Sequence, residues 1–282
     1  MTVKELIEIT ESQLTKAGCE SPAFDSLCLA QSVFGYDSSH MLLHYFDPAE
    51  QDKALMLKSL ADRRSKREPL QYILGEWEFM GLRFSVGEGV LIPRADTETL
   101  CELIINHIGQ NNARVLDLCA GSGAIAVSVA NFCKNCRVTA LEKYDEALKY
   151  LRINNERNGG RIKVMQGDVF DGPPEELSGT LFDVISCNPP YITESQMDFL
   201  SEEVKHEPHT ALFGGRDGLS FYRAVSSVWK ESLNAGGMMI FEIGKDQHAA
   251  VLDILAGNGF ESMFTEKDLN GIIRVVGGFK SR

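Results

Sequence analysis

Val115-Leu116-Asp117-Leu118-Cys119-Ala120-Gly121-Ser122-Gly123-Ala124-Ile125-Ala126 reads as a strand, a turn of small residues and the opening of a helix. Glycines in such a turn let a ligand approach the backbone, and the helix N-terminus offers unsatisfied N–H groups. Working outward, strand-like and helix-like stretches alternate to the C-terminus. Strands are expected at 114–118, 137–142, 163–167, 182–187 and 238–242, with helices such as 145–158 and 219–233 between them. That alternation specifies an α/β fold with a doubly wound, mostly parallel sheet. Residues 271–276 are expected to form an edge strand.

The strand ends carry acids. Glu142 closes the second strand, roughly 20 residues beyond the turn, where a carboxylate can accept both hydroxyls of a ribose. Asp168 closes the third and can accept from an exocyclic adenine amine, while Asp117, just inside the turn, can reach a cationic amine. Each acid alone reads equally as a cap or a solvated charge; three at the ends of successive strands point to an adenosine ligand. Asp117 would repel a pyrophosphate, and the turn lacks the Gly-x-Gly-x-x-Gly form. S-adenosylmethionine therefore fits better than NAD.

After the apolar run 182–187 comes Asn188-Pro189-Pro190-Tyr191, at the carboxyl edge of the sheet, where open α/β folds bind ligands. Two prolines fix φ and carry no N–H, so the loop is stiff. It suits a planar –NH2: the Asn188 oxygen and the Pro189 carbonyl each take one N–H, and the Tyr191 ring stacks alongside. Alone, such a loop reads just as well as a rigid turn.

Upstream, residues 1–68 read as four short helices. Thr2-x-x-Glu5 is a capping box, and Ser21-Pro22 and Asp47-Pro48 each pair a cap with a proline at the first helical position. Residues 76–92 alternate around Met80-Gly81 as a hairpin. The expected domains are thus 1–75, a helical substrate-recognition domain, 76–93, a β-hairpin connector, and 94–282, the catalytic domain.

The 282 residues carry a net charge of −12, which disfavours a nucleic-acid partner. The basic cluster Arg63-Arg64-Ser65-Lys66-Arg67 ends a helix, where cations are favoured anyway. No apolar run approaches a membrane span, and the polar helix start at Met1–Glu5 has no signal-peptide h-region, so none is expected. Seven cysteines, mostly inside expected elements, read as reduced buried thiols of a cytoplasmic protein. Cys133-x-x-Cys136 lacks a second pair at ligand spacing, so no metal site is expected. A monomer is the default.

The chain resembles the HemK-type methyltransferases that modify a glutamine in peptide-chain release factors. The resemblance is carried by Pro69-Leu-Gln-Tyr72-Ile-Leu-Gly75, Leu91-Ile-Pro93-Arg94, Thr97-Glu98, the 117–123 turn, Asn188–Tyr191, Glu207-Pro208, Gly214-Gly-Arg-Asp217-Gly-Leu219, Tyr222-Arg223 and Glu242-Ile-Gly244. It covers the chain from about residue 69 onward. It implies a Rossmann-like fold that transfers a methyl from S-adenosylmethionine, leaving S-adenosylhomocysteine, to the glutamine N5 of a Gly-Gly-Gln loop in translation termination. It places the cofactor on Asp117, Cys119, Ala120, Gly121, Ser122, Gly123, Glu142, Asp168, Val169 and Asn188. The glutamine falls to Asn188, Pro189, Pro190 and Tyr191, with Asn188, Pro189 and Tyr191 catalytic. Cys119 replaces the family's first turn glycine, so that position is expected not to need positive φ; Val169 replaces an aromatic, and Arg94-Ala-Asp96 a usual Arg-Pro-Glu.

Two rival readings are an adenine-N6-type methyltransferase acting on DNA or RNA, which shares the Asn-Pro-Pro-Tyr loop, and a catalytically silent adapter. Net acidity argues against the first. The intact loop and cofactor acids argue against the second.

Overall fold

The computed structural model describes residues 1–281; residue 282, where the expected catalytic domain ends, lies outside them. The chain divides into two compact units: Met1–Glu76 with Ser201–His206, and Trp77–Leu200 with the chain from Glu207 onward.

The first unit holds α1 (Val3–Lys16), α2 (Pro22–Phe34), α3 (Ser38–Leu43), α4 (Gln51–Arg64) and α5 (Leu70–Leu74). The Thr2 capping box forms at both ends, with Glu5 N–H donating to the Thr2 hydroxyl at 3.2 Å and Thr2 N–H to the Glu5 carboxylate at 2.8 Å. Leu14, Leu29, Met41, Leu57 and Ala61 fill its core. Pro22 is the first residue of α2, although the Ser21 side chain caps nothing. Pro48 does not open α4, which begins behind Glu50. Backbone bonds from Val3 to Asp47 and from Ala49 to Met1 hold 47–49 extended against the N-terminus, and that pairing delays the helix.

The basic cluster is spent inside this unit. Arg64, buried, bonds Asp25 at 2.7 Å and Glu203 at 3.0 Å, and Arg67 grips Glu203 through both carboxylate oxygens at 2.6 Å. Glu203 thereby ties the 201–206 segment to the helices. Burial opposes its ionisation, but the two guanidiniums win and lower its pKa to about 2.

The second unit opens within the hairpin of β1 (Glu76–Phe79), whose first residue belongs to the first unit, and β2 (Leu82–Ser85), then α6 (Asp96–Ile108), β3 (Arg114–Leu118), α7 (Ala124–Phe132), β4 (Arg137–Glu142), α8 (Asp145–Arg157), β5 (Lys163–Gln166) and β6 (Phe182–Cys187). There follow the one-turn helices α9 (Glu194–Met197) and α10 (His209–Leu212), then α11 (Ser220–Val228), β7 (Leu233–Glu242), α12 (His248–Gly257), β8 (Phe260–Lys267) and β9 (Ile273–Lys280). The sheet order is β5-β4-β3-β6-β7-β9-β8. The first five strands run parallel; β9 is antiparallel to β7, and β8 to β9.

Burial on both faces follows from alternation along each strand. Val115, Val138, Ala140, Val184 and Ile240 pack under α6, α7, α8 and the hairpin. Leu116, Leu118, Leu141, Ile185 and Phe241 pack under α11 and α12. The terminal strand is not an edge: β9 is paired on both sides, and the edge is β8, a strand the sequence reading missed. Its pattern explains the miss, because only Phe260 of its eight residues is buried and the adjacent Met263 and Phe264 break any apolar alternation.

Candidate active site

The carboxyl ends of β3, β4, β5 and β6 surround one cleft, enclosing about 1030 Å³ including the space open to solvent. Its floor is the turn after β3. Ala120 N–H donates to the Leu141 carbonyl, which pins this turn to the next strand, and Gly123 N–H closes it on Ala120. Cys119, Gly121 and Gly123 all take positive φ, at 56°, 55° and 85°. The expectation for Cys119 is thus wrong: the tight strand-to-helix reversal imposes left-handed backbone there, and a side chain is held in it at a cost. Gly121 faces the cleft, and a Cβ built on it meets nothing within 4 Å, so a ligand can lie on its backbone.

Glu142 turns into this floor rather than out to solvent. One oxygen accepts from Gly121 N–H at 2.8 Å, and the other from Lys143 and Tyr144 N–H at 2.8 and 3.0 Å. A carboxylate offers about four lone-pair sites, so three bonds leave one site. Asp168 lies two residues past the end of β5; it takes Phe170 N–H at 3.0 Å and the Lys143 ammonium at 2.7 Å. Burial opposes its ionisation, but Lys143 and the Phe170 amide prevail and keep it below the usual carboxylate range.

Asp117 is elsewhere. It points to the α6 side of the sheet, is fully buried, and accepts from the Ser186 hydroxyl at 2.8 Å. Burial pushes its pKa up to about 7 against the Ser186 and Ala126 bonds, and its Oδ2 has no partner. Among the described residues, Asp117 and Gly123 are not in the cleft wall, whereas Cys119, Ala120, Gly121, Ser122, Glu142, Asp168 and Val169 are. Alternation is the reason: in β3 the side chains of Leu116 and Leu118 take one face, so Asp117 must take the other.

At the far end of the cleft stand Asn188 and Pro190. The Asn188 amide nitrogen donates to the Thr97 hydroxyl of α6 at 3.4 Å. Pro189 is buried, and neither it nor Tyr191 lines the cleft. The Tyr191 ring packs with the α11–α12 core and against Gly244, so the expected stacking surface is turned inward.

The loop is built by the later glycine motif. Ile192 N–H bonds the Leu212 carbonyl and Gly214 N–H bonds the Ile192 carbonyl, each at 2.9 Å. A Cβ on Gly214 would stand 2.6 Å from Tyr191 Cα, and one on Gly218, whose φ is 72°, would stand 2.4 Å from the Tyr191 carbonyl oxygen. Gln247 donates to that same oxygen at 3.1 Å while accepting from Gly244 N–H at 2.9 Å. Buried Glu207 accepts Ile92 N–H at 3.1 Å and pairs with Arg94, closing the cleft wall on that side.

Several lining residues received no role from the sequence: Leu91, Arg94, Thr97, Tyr144, Phe170, Thr210 and Phe221. Arg94 and Thr97 lay in motifs already singled out; Phe170 and Phe221, an edge-to-face pair at 4.9 Å, carried no local signal. His206 and His209 are exposed and do not line the cleft. Cys133 and Cys136 are buried, with both thiols raised chiefly by burial, and all seven cysteines are unpaired. No cluster of three metal-binding side chains occurs among the described residues.

The cleft fits S-adenosylmethionine: an open glycine floor, one free acceptor site on Glu142, Asp168 at the strand end, and the aliphatic wall of Leu141, Ala147 and Val169. Residues 93–213 match the family described as methyltransferase small domain. The solved methyltransferase of Pyrococcus furiosus shares the fold, with a TM-score of 0.54 over 72% of this chain and 91% of that one at 20% identity. Fold and site define an S-adenosylmethionine-dependent methyltransferase.

Residues 5–75 match the family described as PrmC N-terminal domain. The release factor glutamine methyltransferase of Geobacter sulfurreducens is 38% identical over 278 residues, 98% of this chain and 96% of that protein. That of Clostridium acetobutylicum is 37% identical over 280 residues, 98% of each. The chain belongs to the release factor glutamine methyltransferase family.

Among the described residues, no helix is long and apolar enough to cross a membrane.

Proposed function

We propose that this protein methylates the side-chain nitrogen of the glutamine in the Gly-Gly-Gln loop of peptide-chain release factors. The observation that carries the reading is one cleft with the glycine floor, Glu142 and Asp168 at one end and Asn188 at the other. When bound, S-adenosylmethionine supplies an electrophilic methyl on a sulfonium. The open backbone at Gly121 and the carboxylate of Glu142 would hold it, and Asp168, kept ionised by Lys143, would accept from the adenine amine.

An amide nitrogen is a poor nucleophile because its lone pair is delocalised. Asn188 gives its own N–H to Thr97 and so offers its carbonyl to one substrate N–H. The carbonyl of Pro189, whose neighbours Asn188 and Pro190 both line the cleft, is the acceptor for the other. Two acceptors fix the nitrogen in line and polarise it, which lowers the barrier through positioning and preorganised electrostatics. Tyr191 acts as the buried prop of this loop, a change from the stacking role expected of it.

The helical unit, residues 1–75, recognises the release factor. Leu42, Leu43 and Phe46 support this, being 64, 76 and 75% exposed at the end of α3. The enzyme acts as a monomer, and it acts in the cytoplasm, the latter reading supported by its unpaired thiols. The relatives' names and the charge of −12 favour a protein substrate over nucleic acid.

Mass spectrometry of release factor incubated with this protein and S-adenosylmethionine should find one methyl on the Gly-Gly-Gln peptide. Asn188→Ala should bind cofactor within a few-fold of wild type yet turn over at least about 100-fold more slowly. Methyl incorporation into DNA or rRNA in place of release factor would overturn the reading.

A further inference from the structure

We propose that Glu242 is the positioning residue for Asn188: set behind the loop, it draws in the Asn188 amide and the Thr97 hydroxyl and so turns the Asn188 carbonyl toward the cleft. The inference rests on the reading of Asn188 as an acceptor for the substrate N–H.

The two ends of an asparagine amide are nearly the same shape, so only the partners around it select which end faces the substrate. β6 and β7 are parallel neighbours with Cys187 opposite Phe241, which brings Asn188 and Glu242 to adjacent strand ends. Met238, Ile240 and Glu242 alternate onto the α6 face, and there the Glu242 carboxyl lies beside the Thr97 and Asn188 side chains, both of which favour its charged form. Thr97 is also bonded by the Asn188 nitrogen at 3.4 Å, so the three side chains form one contact group. Both groups that face Asn188 are oxygens that can accept, and one is a carboxylate. They favour the amide's NH2 end and leave its carbonyl for the cleft.

Structure alone does not account for an acid here. Glu242 is 2% exposed and its Oε2 has no partner, a costly arrangement where an apolar residue would pack as Ile240 does. Burial raises its pKa to about 7, against the Thr97, Arg274 and Asn188 interactions that favour the charged form. The other groups that face it are Asp96 and Cys101 of α6, Tyr191 of the loop and Tyr222 of α11. Below pH 7 the carboxyl gains a proton, becomes a donor on one oxygen and loses its selectivity for the NH2 end.

The test is steady-state methylation of intact release factor by the full chain, with cofactor affinity measured by calorimetry. Glu242→Leu should lower kcat by about 30- to 100-fold, and Thr97→Val by about 10-fold, with cofactor Kd within about threefold of wild type. Glu242→Gln is neutral with a donor on one end, like the protonated acid, so above pH 8 it should turn over only as fast as wild type does below pH 7, and the acid limb near pH 7 should vanish. The double variant Asn188→Ala/Glu242→Leu should be no slower than Asn188→Ala alone, because Glu242 acts only through Asn188.

Wild-type kcat in Glu242→Leu overturns the proposal, as do losses that multiply in the double variant. An unchanged acid limb in Glu242→Gln also overturns it, assigning that titration to Asp117. A fast Asn188→Ala would instead sink the acceptor reading itself, and this inference with it. Thr97→Val and Glu242→Gln preserve shape, so they decide the matter should Glu242→Leu fail to fold.

Discussion

Glu142→Gln separates a ligand contact from a scaffold contact. Gln can keep one oxygen for the Lys143 and Tyr144 N–H groups, which Glu142 now accepts at 2.8 and 3.0 Å. Its NH2 then faces Gly121 N–H, donor against donor, where the carboxylate accepts at 2.8 Å. The flipped amide loses two bonds in place of one, so the first orientation prevails. A bond to a charged group contributes about 1.5–3 kcal/mol. The Gly121 bond is only part-buried, so the lower figure, about 1.5 kcal/mol, applies to the empty protein.

In the complex the remaining acceptor site of Glu142 is lost as well, since an NH2 cannot receive a ribose hydroxyl. A loss of about 1.4 kcal/mol is tenfold, so S-adenosylmethionine should bind at least about tenfold more weakly in calorimetry. The melting temperature should fall by roughly 3–6 °C. Cofactor affinity within twofold of wild type, with the melting temperature lowered, would show that Glu142 only braces the turn. If neither changed, the account of the floor would be wrong.

Cys119→Gly relieves a left-handed residue at φ 56° and should stabilise the fold by about 1 kcal/mol, read as a melting temperature higher by roughly 2–4 °C; a lower one would mean that packing of the thiol outweighs the strain. Gly218→Ala puts a methyl 2.4 Å from the Tyr191 carbonyl and should lower turnover more than cofactor affinity; parallel losses in both would show that the motif supports more than the loop. Glu203 has a depressed pKa, so its contribution is complete above about 4.5 and lost as pH falls towards about 2. The urea stability gap between wild type and Glu203→Gln should therefore be full at pH 7 and close across that window, and a gap that widened with acid would contradict the assigned ion pairs.

The five parallel strands, the glycine turn, the proline loop and the four N-terminal helices were all readable along the chain, because each rests on periodicity or on backbone chemistry local to a few residues. The cleft positions of Glu142, Asp168 and Asn188 followed from a general property of open α/β sheets, whose strand ends converge. Local sequence could not say what those groups were already bonded to. Glu142 spends three of its acceptor sites on neighbouring N–H groups, and Lys143 claims an oxygen of Asp168.

Where long-range packing set the outcome, the sequence was mute or misleading. Asp117 is adjacent to the turn in the chain, yet strand alternation turns it through the sheet to Ser186. The last strand lies inside the sheet because the mostly exposed β8 pairs outside it. Pro48 fails to start a helix because the N-terminus bonds its neighbours. Chain order determined the elements and the chemical types at their ends; only the folded sheet decided which face each side chain took, since facing depends on pairing between strands far apart in sequence. The Glu242–Thr97–Asn188 group, drawn from residues 97, 188 and 242, exists only at that level.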